Sequence, residues 1–172
     1  MNVNFPSATQ TVAGTEYIPC MLSFLEKIGI PVRMEKINSK TFVPGLKIEN
    51  GVLLIDMEKL LYPGDILHEA GHIAVIPQNK RASFGEKNFS AGDEIATLLW
   101  SYAALKEAGI PPEIVFHSEG YKGNSQWLIE SFTNKKYVGL PLLEWMGLTA
   151  GPKKATELSI APFPNMIRWL RE

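Results

Sequence analysis

Cysteine is nearly missing from this chain. Cys20 is the only one among 172 residues, which excludes an internal disulfide framework and any zinc knuckle built on thiolates. Histidine is scarce, with 3 in all, so an imidazole-based site must use most of them. An excess of one charge is missing as well: 17 Lys and Arg stand against 18 Asp and Glu, for a net charge of −1. No basic field draws phosphates, and nucleic-acid binding as the main task is not expected. No apolar run reaches the roughly 18 residues that a membrane-spanning helix needs, so no membrane partner is expected. The stretch MNVNFPSATQTVAGTEYIPC lacks a basic segment followed by an apolar one, so it does not read as a signal peptide, and the expected location is cytoplasmic. Repeats and low-complexity tracts are absent too, and the expectation is one domain over 1–172. Nothing in the sequence sets an oligomeric state.

What is present is a core. Hydrophobic residues make up 45% and charged ones 20%, a balance that disordered chains do not have. Residues 1–14 are polar and irregular, an expected loose arm. Over 15–29, Ile18, Met21, Leu22, Leu25 and Ile28 follow helical spacing, with Pro19 in the first turn and Gly29 as the stop. Cys20 falls among these apolar positions and reads as a small buried hydrophobe. Residues 31–36 alternate weakly, as a strand does. In 45–57, two strand-like runs flank Asn50-Gly51, a two-residue hairpin signal, because both turn positions need positive φ.

A helix is predicted over 65–76, with Asp65 as its cap and Pro77 as its end. Residues 78–92 read as loop. A second helix is predicted over 93–108, capped by Ser90 or Asp93, with Ile95, Leu98, Leu99, Tyr102 and Leu105 at helical period and Gly109 as the stop. Residues 113–172 read as short helices with Trp127, Trp145 and Trp169 as anchors. The fold class is α+β, with a small sheet and a helical C-terminal part.

The chemistry lies in His68-Glu69-Ala70-Gly71-His72, an HExxH sequence on the predicted helix. Side chains four apart on a helix share one face, so two imidazoles can meet one ion at about 2.0–2.1 Å. Glu69, beside the first imidazole, is placed to accept a proton from an attacking water. The flanking Ile66, Leu67, Ala70, Gly71, Ile73 and Ala74 are all uncharged. A buried Glu between two buried His needs compensation, and a divalent cation supplies it. A zinc site open to water takes a third protein ligand. A third His six residues after the second is ruled out, because Gln78 stands there. Glu94 at the start of the next helix is the leading candidate, since it shares a face with Leu98. Asp93, with a capping role as its alternative, and His117 remain open.

This arrangement resembles zincin metallopeptidases of the gluzincin type, which carry HExxH on one helix and a Glu on a following helix. The resemblance covers roughly 45–105 and includes the downstream E-I-A-T-L-L seen in small cytoplasmic HExxH peptidases. It implies a zincin-like fold in which a small, mainly antiparallel sheet packs on the two helices and its edge strand holds a peptide or protein substrate. It also implies Zn²⁺ held by His68, His72 and Glu94, and peptide-bond hydrolysis with Glu69 as general base. The gluzincin pattern Asn-Glu-x-x-x-Asp is not completed, as Thr97 and Leu98 stand where its acid would be. His117, Tyr121 and Lys122, in HSEGYKGN, are candidate stabilisers of the developing oxyanion. Two alternatives accompany this reading. One is a non-catalytic, metal-stabilised binding or sensor domain on the same scaffold. The other is a peptide-deformylase-like amidohydrolase, because Cys20 in PCMLS resembles the E-G-C-L-S of that family.

Overall fold

The computed structural model describes residues 12–85 and 89–172. The expected loose arm over 1–14 lies outside the described residues except for Val12–Gly14, where the Thr15 hydroxyl donates to the Val12 carbonyl at 2.6 Å. Helix α1 runs Ile18–Ile28 and ends at Gly29, whose φ of 85° is left-handed. Strands β1 (Val32–Met34), β2 (Leu46–Glu49) and β3 (Val52–Ile55) follow. Asn50 and Gly51 both take positive φ, as the hairpin between β2 and β3 requires.

The sheet runs β1-β3-β2. β2 pairs antiparallel with β3, with Leu46 opposite Ile55 and Ile48 opposite Leu53. β1 pairs parallel with β3, with Val32 opposite Leu53. The sheet is therefore mixed, not mainly antiparallel. The hairpin dictates the direction of β2, but β1 reaches the far side of β3 through an 11-residue connection, and nothing in its three residues encodes a direction. β3 is the central strand, and Leu53, Leu54 and Ile55 are all buried.

The connection from β1 to β2 is anchored on Asp56. Its carboxylate accepts from the backbone N–H of Ile37 at 2.9 Å and of Glu58 at 3.1 Å, and the Lys59 ammonium is 3.7 Å away. The bond from Ile37, more than burial opposes it, holds this carboxyl below the ordinary carboxylate range. The ionised form is thus bound more tightly in the folded chain than in the unfolded one. Its contribution is complete above the unfolded carboxylate value of about 3.9 and is lost as pH falls through the lower folded value. Asp56→Asn is expected to flatten the acid side of a Tm-against-pH curve; a curve parallel to that of the parent below pH 5 would contradict this.

Helix α2 spans Asp65–Val75, and its residues Ile66 to Val75 are all buried. It packs between the sheet and α4 (Ala91–Ala108). A short helix, α3 (Gln78–Arg81), stands inside the stretch expected to be loop. Asp65 does not cap α2. Gly64 takes that position, and a β-carbon there would lie 1.9 Å from the Ile114 carbonyl oxygen. The chain thus enters α2 pressed against α5 (Pro112–Val115), and only glycine permits the approach.

Helices α6 (Ser125–Thr133), α7 (Leu140–Trp145) and α8 (Pro152–Leu158) complete the helical C-terminal part. The expected aromatic anchors divide. Trp169 packs edge-on against Phe24 and Trp100, and the Trp100 indole donates to its carbonyl at 3.0 Å. Trp127 and Trp145 instead remain 54% and 71% exposed, because α6 and α7 turn Leu128, Phe132 and Leu143 inward. Cys20 also departs from expectation, as it is exposed on α1.

Candidate metal centre

Two helices bring three side chains together. On α2, His68 and His72 lie one turn apart, with ring centroids 4.9 Å apart and nearly perpendicular. On α4, Glu94 stands in the first turn. Its place is set by a reciprocal cap: the Asp93 N–H donates to the Ser90 hydroxyl at 3.2 Å, and the Ser90 N–H donates to the Asp93 carboxylate at 2.9 Å. Asp93 is thereby consumed as a cap, and Glu94 is turned toward α2. Its Oε1 lies 3.4 Å from His68 Nε2 and its Oε2 lies 3.2 Å from His72 Nε2.

Close approach of the helices depends on Gly71. A β-carbon there would lie 2.9 Å from Thr97 Cγ2 and 3.0 Å from the Trp100 ring, tighter than packed side chains tolerate. The glycine inside HExxH is therefore what lets α4 reach the imidazoles.

One ligand atom from each of His68, His72 and Glu94 falls within 4.8 Å of the others. The donor set is two nitrogens and a carboxylate oxygen, with both imidazoles buried and Glu94 partly exposed. That set and spacing fit a divalent ion with one side left accessible. The electrostatics fit as well. Burial works against charge on Glu94, yet hydrogen bonds to the two imidazoles hold its carboxyl well below the ordinary range. Burial also opposes charge on His68, but Glu94, Glu69 and Asp65 together raise it. Burial, together with the His68 charge, lowers His72. The carboxylate of Glu94 between two buried imidazoles is thus a setting in which a cation could be held.

Thr97 was visible in the sequence only as the lack of an acid. In the fold its hydroxyl lies 3.3 Å from His72 Nδ1, and both groups are buried. An Nδ1–H donated to that oxygen leaves Nε2, on the Glu94 side, free to ligate. Such outer partners contribute roughly 10–100-fold in metal affinity. Thr97→Val, which keeps the shape and removes the acceptor, is expected to weaken binding of a divalent metal ion by about that factor, whereas Thr97→Ser retains it. Competition titration against a chromogenic chelator measures both; equal affinities in Thr97→Val and the parent would remove Thr97 from the site. For His68, Nδ1 is buried with no hydrogen-bond partner among the described residues.

The remaining candidates sit around this group. Glu69 is buried on the same helix, and its charge acts on both His68 and Tyr121. His117 is not part of the triad. Its Nε2 lies 3.0 Å from Asp65 Oδ1 and its ring stacks on Tyr62 at 3.9 Å. Tyr121 lays its ring edge-on to His68 at 5.5 Å, but its hydroxyl donates to the Val115 carbonyl at 2.8 Å. Burial, then the carboxylates of Asp65, Glu94 and Glu69, push that hydroxyl well above its ordinary pKa. Lys122 is exposed beside it. Phe89 stacks on His72 with centroids 4.0 Å apart, a cover that no local pattern indicated. Cys20, exposed on α1, is not in the group.

No protein-family model matches this chain, nor does any curated protein or solved structure.

Proposed function

We propose that this protein is a zinc-dependent metallopeptidase with a zincin-like arrangement of helices and sheet. The observation that carries the reading is the convergence of His68 and His72 with Glu94 from another helix, with Glu69 buried next to His68 in sequence and outside the group of three donors found among the described residues. The zinc identity rests on the donor set, since two imidazoles and a carboxylate are an established hydrolytic combination. The sheet accompanies the same reading, because β2 is an edge strand among the described residues and packs beside α2.

His68, His72 and Glu94 would hold the ion, which supplies Lewis acidity toward a peptide carbonyl and acidifies water. Glu69 takes the proton of the attacking water and returns it to the leaving amine, so that the carbonyl carbon gains an oxygen and the C–N bond breaks. Thr97 holds the His72 ring in its ligating tautomer. Tyr121 and Phe89 wall the two imidazoles from solvent, which strengthens the electrostatics within.

Hydrolysis of a peptide library by the purified protein is expected to stop on treatment with 1,10-phenanthroline and to return with zinc. Cleavage that survives complete metal removal would exclude the reading. One observation favours a second reading, a metal-stabilised binding or sensor domain. The outer partner of His72 is a neutral hydroxyl rather than a carboxylate, which leaves the imidazole a weaker donor. Stoichiometric zinc with no cleavage across the library would select that reading.

A further inference from the structure

A groove of about 480 Å³ lies beside the metal group and shares Glu94 with it. Glu94, Leu98, Tyr121, Lys122, Trp127 and Leu128 line it. Leu98 follows Glu94 by one turn of α4, so the ligand and the groove floor belong to the same helix face. The far wall is Trp127. On α6, Leu128 and Phe132 are buried, yet Trp127 is left 54% exposed. A large aromatic lining a concave surface beside a candidate reaction centre is surface held open for an apolar group.

The rim has a different character. Tyr121 and Lys122 both take positive φ, at 56° and 53°, a conformation that costs non-glycine residues energy and concentrates at functional sites. The result is a loop that sets the Tyr121 ring edge-on to His68 and leaves Lys122 exposed in the lining of the groove. Lys122 makes no ion pair among the described residues. An apolar trough whose lining includes Lys122, a cation without an ion pair among the described residues, is complementary to an apolar side chain followed by a carboxylate.

We propose that this groove is a specificity subsite for a peptide that carries an apolar residue next to the cleaved bond and a carboxylate paired with Lys122. The inference rests on the metallopeptidase reading for the bond and on the groove itself for the side chains. The carboxylate is either the side chain of the following residue or the C-terminus of the peptide, and both present the same group to Lys122. Burying a leucine- or phenylalanine-sized side chain against Trp127 and Leu98 is worth at least about tenfold in binding. An exposed ion pair at the rim is worth about two- to fivefold and fades with salt.

The test uses the full-length Glu69→Gln protein loaded with zinc, and fluorescein-labelled pentapeptides Ala-Ala-Xaa-Zaa-Ala read by anisotropy. Xaa is Leu, Phe, Ser or Lys, Zaa is Glu or Gln, and each peptide is made with a free and an amidated C-terminus. Leu and Phe peptides are expected to bind at least about tenfold more tightly than Ser peptides, and Trp127→Ala should erase that preference. Lys122→Ala should remove a two- to fivefold advantage of the carboxylate-bearing peptide, and Lys122→Arg should keep it. Loss of the advantage on Glu-to-Gln exchange assigns the carboxylate to a side chain; loss on amidation assigns it to the C-terminus. Both variants alter exposed positions, so folding is preserved. Ser peptides binding as well as Leu peptides, a preference that survives Trp127→Ala, or no peptide binding overturns the proposal. If the zinc-loaded parent cleaves peptides without apolar preference, the subsite fails and the peptidase reading stands. If the groove-dependent binding is found but the parent cleaves nothing, the peptidase reading fails and the subsite stands.

Discussion

His72→Ala is expected to yield a folded protein without stoichiometric zinc, and His68→Ala and Glu94→Ala should do the same. Each removes one of three donors that come from two different helices. Among the described residues the other candidate ligands are engaged: Asp93 in the cap of α4, and His117 with Asp65 at 3.0 Å. Stability makes the effect visible without an activity assay. An ion present at about 100 times its dissociation constant adds about 2.7 kcal/mol to the folded state. In a domain of this size that raises Tm by roughly 5–10 °C. The parent should show that rise on adding zinc, and the three variants should not. Variants that retain the zinc content of the parent in plasma mass spectrometry would refute the ligand assignment.

Glu69→Gln separates chemistry from binding. The side chain is buried beside His68 but is not one of the three grouped donors, so the amide should leave zinc content unchanged. What it removes is the capacity to hold a proton. A positioned general base is worth about 10²–10⁴-fold, and kcat/KM for a cleaved peptide should fall by that factor, while zinc content stays at the value of the parent. A variant that cleaves at the rate of the parent would assign the proton transfer to another group.

The parts of this centre that the sequence made legible are those governed by local rules. HExxH is an i,i+4 relation, readable wherever a helix is readable. Gly29 and Gly109 end α1 and α4 in left-handed conformations, and Asn50-Gly51 turns the hairpin. Glu94 was reachable because Ser90 and Asp93 announce the start of α4 and Leu98 marks its inner face. The rest depends on which surfaces meet. Asp65 has the composition of a cap, yet tertiary packing put Gly64 there and turned Asp65 to His117. Thr97 became the partner of His72 because α2 and α4 touch at Gly71. Tyr121 reads as a free donor in its loop, but its hydroxyl is spent on Val115. The outward turn of Trp127 and Trp145 followed from the neighbours that α6 and α7 bury, which aromatic content alone does not reveal.

The most direct measurement is an anomalous difference map at the zinc edge, from crystals grown without chelator and soaked in zinc. A single strong peak within about 2.0–2.2 Å of His68 Nε2, His72 Nε2 and a Glu94 carboxylate oxygen is expected. No peak among those three side chains, or a peak held elsewhere on the chain, would contradict the account.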